Sequence, residues 1–228
     1  MDTLVGFDDH WIDRRGLIMW GAGGHVGDRR PRGTRRTSIR EWEVLDSRRM
    51  YRLGGTMIRA VEVDDLPMTR LWRNDPRVSI PALGRRFPIT ENSERAWFEA
   101  LAIGPFPTKL VWAVADDDSH VVGLVQLADI HWIHRTAQYG IWIGPEHWGH
   151  GHARRATRLV CDLAQRDLGL RQLRLSVVAG HDTARAVYEK NGFVEEAVQR
   201  DAVLIDGSPA DLVLMVYDCP PPNERQGD

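Results

Sequence analysis

The stretch from Tyr139 to Leu163 constrains this chain more than any other, because three different patterns follow one another along it. Tyr139, Ile141 and Ile143 alternate with period two, as on a strand with one buried face. Gly149, Gly151 and Ala153 then put the smallest side chains at every second position, which lets a ligand approach the main chain. Ala156, Leu159, Val160 and Leu163 follow at i, i+3, i+4 and i+7, the stripe of an amphipathic helix. A strand that enters a helix through such a turn leaves unpaired N–H groups at the positive end of the helix dipole, which is an anion site. Arg154, Arg155 and Arg158 add positive charge there. A tight strand-to-helix connection has the same glycines, so the loop by itself leaves both roles open. No Lys-Ser or Lys-Thr follows the glycines, and no GxGxxG with a distal acid is present. Nucleotide hydrolysis and dinucleotide redox chemistry are therefore disfavoured.

The rest of the chain reads as a mixed α/β (α+β) sheet without internal repeats. A first strand is expected over Ile58–Val63, then a helix from Asp64-Asp65 through Met68, Leu71 and Trp72, ended by Asn74-Asp75-Pro76. A second helix follows Thr90, with Trp97, Phe98 and Leu101 on one face. Leu110–Ala115 and Val121–Leu127 form a hairpin across Asp116–Ser119, and Gln138–Ile143 and Leu173–Val177 alternate as further strands. Two last strands start from Phe193 and Asp211.

Residues 1–56 carry net charge +3 and residues 57–228 net −5. The Gly/Arg-rich run from Gly21 to Arg40 has neither period, so residues 1–56 read as a poorly ordered extension. Gly54-Gly55-Thr56 before Met57 also suits a codon run resembling a ribosome-binding site, with translation starting at Met57. Residues 57–220 are the expected domain and 221–228 a flexible tail. An overall charge of −2 argues against a nucleic-acid or anionic-membrane partner. No apolar run reaches the roughly 18 residues of a membrane span, and charged residues interrupt any leader-like stretch. With only Cys161 and Cys219, a reducing cytoplasmic location is expected. His131, His134, His147, His150 and His152 lack zinc-site spacing and a matching Cys set, so no metal is expected.

Trp148-Gly149-His150-Gly151-His152-Ala153 resembles the acyl-CoA loop of the GNAT superfamily of acetyl-CoA-dependent N-acetyltransferases, written Gln/Arg-x-x-Gly-x-Gly/Ala. A second motif of that family resembles His181 to Phe193, with Ala184, Tyr188, Glu189, Lys190, Gly192 and Phe193 in register. Trp72 to Pro76 and Gly123 to Ala137 look like the ribosomal-protein and spermidine acetyltransferase branch. The resemblance covers about residues 57–220 and implies a mostly antiparallel sheet, flanked by helices and splayed at the cofactor site. It implies acetyl-CoA as co-substrate, held by Ile141, Trp142, Ile143, Trp148, Gly149, His150, Gly151, His152, Ala153, Arg154, His181 and Tyr188. Trp148 replaces the family Gln or Arg, where the main chain does the binding. His181 replaces the usual Asn, so the family's Asn contact to the pantetheine arm does not carry over unchanged.

The reaction so implied is direct attack of a primary amine on the thioester, with Tyr188 protonating the departing thiolate. An ammonium has no lone pair, and at pH 7 an alkylamine of pKa about 10.4 is almost wholly charged. Asp129 and Glu146 are candidate bases, with His131 and His134 as further ones; Gln138 stands where the family often has Glu. The expected acceptor is a small-molecule amine of the amino sugar, polyamine or aminoglycoside type, in a possible homodimer. The region from Asn74 to Glu99 has Asp75, Glu91, Glu94 and Glu99 but no adjacent pair, and Arg77, Arg85 and Arg86 make it basic. A protein N-terminus is the alternative acceptor, and a non-catalytic acyl-CoA-binding module the alternative class. A basic tail acting on RNA would require steep salt dependence.

Overall fold

The computed structural model describes residues 51–82, 87–101 and 106–219, and the strand backbone at 11–12, 18–19, 44–45 and 50. Arg85, Arg86 and the tail 221–228 lie outside the described residues. Residues Met1–Arg40 and Glu41–Asp228 form two units. In the first, β1 (Trp11–Ile12) pairs antiparallel with β2 (Ile18–Met19).

The second unit is built on one sheet. Its strands in chain order are β3 (Val44–Leu45), β4 (Met50–Arg52), β5 (Met57–Arg59), β6 (Leu110–Ala115), β7 (Val121–His131), β8 (Thr136–Ile143), β9 (Gln172–Val178), β10 (Val194–Ile205) and β11 (Ser208–Asp218). Across the sheet the order is β10-β11-β9-β8-β7-β6-β5-β4-β3, and among the described residues only β8 and β9 are parallel. That parallel pair joins Thr136, Ala137 and Gln138 to Gln172, Leu173 and Arg174 and then stops. Beyond Gln138 the two strands part, while Tyr139–Ile143 stay bonded to β7 on their other side. The splay expected at the cofactor site is therefore present.

Among the described residues five helices flank the sheet: α1 (Leu66–Asn74), α2 (Pro76–Ser79), α3 (Glu91–Glu99), α4 (His152–Arg166) and α5 (Asp182–Glu189). The period-two pattern decides which face each strand residue serves. Val125, Leu127, Ala137, Tyr139, Ile143, Leu173, Leu175 and Val177 join Ala156, Leu159, Val160 and Leu163 of α4 in the main core. The opposite face of β6–β8 carries a smaller cluster, with Ala113, Leu124 and Trp142 packed near Leu66, Trp97 and Phe98. One face thus serves the loop and α4, and the other serves α1 and α3.

Two expectations need correction. The first strand ends at Arg59 rather than Val63, because Arg59 forks onto Asp65 at 2.7 and 2.9 Å and Asp65 also accepts from the Glu62 N–H at 2.9 Å. Those bonds draw Val63–Asp65 into a 3-10 turn that leads into α1. The sheet also begins upstream of Met57, since Met50–Arg52 pairs with Met57–Arg59 through Tyr51↔Ile58 and Arg52↔Met57. Thr90 caps α3 by accepting from the Ser93 N–H at 3.1 Å, where the sequence placed that start.

Candidate active site

β8 delivers the loop. Gly144 follows it, and a Cβ there would lie 2.4 Å from Cε2 of Trp72, so only glycine lets the α1 indole close over the strand end. Trp72 is 1% exposed and donates from Nε1 to Glu146 Oε1 at 2.8 Å. This fixes the 3-10 turn Pro145–His147 that launches the loop. Trp148 caps the strand from the other direction, donating from Nε1 to Ile143 O at 2.8 Å with half its surface exposed.

Gly149 and Gly151 sit at φ 82° and 78°, the left-handed region that favours glycine. Gly151 is the N-cap of α4 and provides no side chain to cap it. The first N–H groups of α4 are therefore left for a ligand, as an anion cradle requires. The three arginines of the first turns have different duties. Arg158 pairs with Asp162 at 3.2 Å, and Arg155 donates to Thr56 Oγ1 and His150 O, both at 2.7 Å. Arg154 is exposed and has no ion-pair partner among the described residues, so its charge is available to a phosphate.

His152 is buried, with Nδ1 2.9 Å from Thr56 Oγ1. Burial, then the charges of Arg155, His147 and His150, lower its pKa against a small opposing pull from Asp116. An unfolded His152 titrates near about 6.5, so below that pH the unfolded chain binds the extra proton first and folding loses stability as pH falls. We expect the thermal midpoint to drop between pH 7 and 5.5, and His152→Gln to drop less over that interval; equal slopes would contradict this.

On the other side of the gap, α5 ends on a glycine. Gly192 is left-handed at φ 93°, Phe193 N–H donates to Tyr188 O at 3.1 Å, and Gly192 N–H donates to Glu189 O at 3.0 Å. This is the paired Schellman closure, and the Tyr188 and Phe193 rings meet at 5.9 Å. Tyr188 also lies edge-on to Tyr139 at 6.1 Å, and Tyr139 shares a 2.7 Å bond with Thr157. Burial pushes the Tyr188 phenol up to about 12. Its hydroxyl has no protein hydrogen-bond partner among the described residues. It is the opposite of Tyr139, whose hydroxyl is committed to Thr157. His181 opens α5, its carbonyl accepting from the Arg185 N–H at 3.1 Å.

The two candidate bases stand apart. Asp129 is exposed at the β7 bulge between Ala128 and His131, with φ 47°. It pulls up the pKa of Lys109, which burial and Arg73 lower. Burial pushes the Glu146 carboxyl up, but its own N–H, the Trp72 indole, His147 and Arg77 outweigh that and hold it below the ordinary range. His131 and His134 stack at 4.1 Å in the exposed β7–β8 turn. Among the described residues no three His, Cys, Asp or Glu side chains gather as metal ligands.

The acetyltransferase (GNAT) domain family matches residues 56–194. The chain belongs to this family. Similar GNAT proteins include spermidine N(1)-acetyltransferase of Vibrio cholerae, 36% identical over 104 residues that span 46% of this chain and 60% of the relative. A Bacillus subtilis protein named as a ribosomal N-acetyltransferase, YdaF, is 32% identical over 42% of this chain and 52% of its own length. The matched stretches thus cover little more than half of each curated relative. In three dimensions the chain superposes on the crystal structure of Vibrio cholerae spermidine N-acetyltransferase in complex with CoA and spermine. The TM-score is 0.68 at 26% identity, covering 73% of this chain and 97% of that one.

Three site features were not legible in the sequence: the burial of Thr56 against α4, the engagement of Arg155, and the bond from Trp72 to Glu146. Each joins residues far apart in the chain, and no local period marks them.

Proposed function

We propose that this GNAT domain transfers the acetyl group of acetyl-CoA to a primary amine of a small molecule, by direct attack in a ternary complex. The parting of β8 and β9 after Gln138, next to an uncapped α4, carries this reading. In it the pyrophosphate lies on Gly149–Ala153 with Arg154 nearby, and the pantetheine passes between Tyr139–Ile143 and Leu175–Val178. Main-chain N–H groups of β8 that no longer face β9 polarise the thioester carbonyl. His181 and Tyr188 border the arm from α5. The amine approaches from the α1 and α3 face, away from Tyr188, which protonates the leaving sulfur. The residues fit acetyl-CoA.

The names of the similar proteins favour a polyamine-type acceptor. A protein N-terminus is the second reading, because the acids that would hold a polycation are mostly engaged. Glu94 is 1% exposed and bound to Arg73 at 2.5 Å and Thr69 at 2.9 Å, Asp75 pairs with Arg77 at 2.6 Å, and Glu91 lies 3.7 Å from Arg95. An N-terminal amine of pKa about 7.7–8.0 also costs less to deprotonate. Free-thiol release from acetyl-CoA decides between them, measured on the full chain with spermidine, spermine, amino sugars, aminoglycosides and peptides. Release with none of these, while CoA binds, would leave the binding-module alternative.

Asp129 remains the proposed base of the pair. Glu146→Gln keeps an oxygen for the Trp72 indole, so turnover should stay within about threefold. A loss above about a hundredfold with unchanged thermal midpoint would make Glu146 the base instead. No helix among the described residues is long and apolar enough to cross a membrane. With Cys161 and Cys219 free and buried, we place the protein in the cytoplasm. We assign its homodimer contact to β10, which ends the sheet among the described residues and exposes Val194 and Val198.

A further inference from the structure

Thr56 precedes β5 and has no exposed surface, yet it lies far in sequence from the loop that reads as the cofactor site. Two side chains from the first turn of α4 share its hydroxyl. Arg155 Nε donates to Oγ1 at 2.7 Å, and His152 Nδ1 lies 2.9 Å away. The guanidinium brings its own hydrogen to Oγ1, so the hydroxyl hydrogen is free to go to Nδ1, with neutral His152 carrying its hydrogen on Nε2. The Gly54–Gly55 turn brings Thr56 to this point. Leu53 N–H donates to Thr56 O at 2.9 Å across that turn, and Gly54 is left-handed at φ 54°. A Cβ on Gly54 would lie 3.3 Å from Arg155 Cδ, so the turn rests directly on the arginine.

The far end of the same guanidinium reaches the loop, where Arg155 Nη2 donates to His150 O at 2.7 Å. In a trans peptide the C=O and the following N–H point in opposite directions. A His150 carbonyl drawn toward Arg155 therefore turns the Gly151 N–H away from it, to the open side of the loop. Among the described residues Thr56 Oγ1 alone accepts from Arg155 Nε, and this bond fixes the angle of the guanidinium.

We propose that Thr56 is a positioning residue for acyl-CoA binding: through Arg155 it holds the His150–Gly151 peptide with its N–H aimed at the cofactor's pyrophosphate. This rests on the acyl-CoA reading of the loop given above. It also assigns the residues just upstream of Met57 to the working site. A chain started at Met57 would keep β5 and α4 but lose the anchor of this staple.

The test uses the full chain and measures CoA binding by calorimetry beside steady-state kinetics in acetyl-CoA. Thr56→Val, which keeps the shape and loses the hydroxyl, should weaken CoA binding about tenfold, because a hydrogen bond to a charged group is lost. KM for acetyl-CoA should rise in parallel, with kcat falling less. Thr56→Ser restores the hydroxyl and should bind CoA within about twofold of the parent. Arg155→Met removes the staple from its other end, and T56V with R155M together should lose no more than the weaker single variant. CoA affinity unchanged in T56V, losses that add in the double variant, or T56S as weak as T56V would each overturn the proposal. If T56V fails to fold, parent-like affinity in R155M overturns it equally. A parent protein that binds no CoA would sink the reading of the loop itself, whereas a parent that binds beside an unchanged T56V would sink the role of Thr56 alone.

Discussion

Replacing Tyr188 by Phe should lower turnover by about a hundredfold or more while leaving the fold and acetyl-CoA binding in place. The ring's packing against Tyr139 and Phe193 survives the change, and the Schellman closure of α5 uses only the Tyr188 carbonyl. What is lost is the hydroxyl, which has no structural partner among the described residues. With the phenol at about 12 and a free thiol near about 8.5, proton transfer to the leaving sulfur is uphill by roughly 5 kcal/mol in bulk terms. The niche that raises the phenol also raises a thiolate placed beside it, because burial disfavours both anions, so the gap narrows where the transfer takes place. The raised value has a consequence for pH. Tyr188 stays protonated through the whole working range, so the rate should climb as the amine loses its proton and show no falling limb below about pH 11. Full turnover in the Phe variant, or a falling limb near pH 9 that the variant abolishes, would remove Tyr188 as the acid at that value.

The largest effect on stability should come from Trp72→Ala. This side chain fills the space above Gly144, bonds Glu146 at 2.8 Å and meets the His147 ring edge-on at 5.8 Å. No smaller residue fills that volume, since neighbouring backbone at Gly144 cannot collapse into it without bending β8. Large-to-small changes at such a site cost about 3–5 kcal/mol. For a domain of this size that corresponds to a thermal midpoint lower by roughly 10 °C. Trp97→Ala, at a half-buried ring with Arg73 stacked 4.8 Å above it, should cost clearly less. A Trp72→Ala midpoint within about 2 °C of the parent would show that α1 is not what holds the strand end.

The difference between these two tryptophans shows where sequence reading succeeds and where it stops. Trp72 and Trp97 each read as an aromatic on an expected helix, and only the close approach of Gly144 makes Trp72 core while Trp97 stays half-buried. The elements themselves were legible because their periods are local. Tyr139–Ile143, the loop glycines and the α4 stripe stand as expected, and Gly192 closes α5 through Tyr188 and Phe193. The splay of β8 from β9 came from family resemblance and not from any period, since a strand pairs or parts according to what lies across from it. Residues 50–56 misled for a related reason. A three-residue strand with a Gly-Gly turn resembles tail composition, and its place in the sheet depends on pairing with β5 and on Arg155 of a distant helix. The charge of Arg155 was visible, but its commitment to Thr56 and His150 was not; Arg154 beside it has no ion-pair partner among the described residues.

In the proposed complex acyl-CoA occupies the gap after Gln138, with its pyrophosphate on the glycine loop. Amide hydrogen exchange of the full chain, with and without CoA, tests it peptide by peptide. Protection should rise in peptides covering Tyr139–Ile143 and Gly149–Arg155, together with the start of α5, and leave β5, β6 and α3 unchanged. Binding with no added protection in Gly149–Arg155, or with protection centred on another part of the sheet, would contradict it.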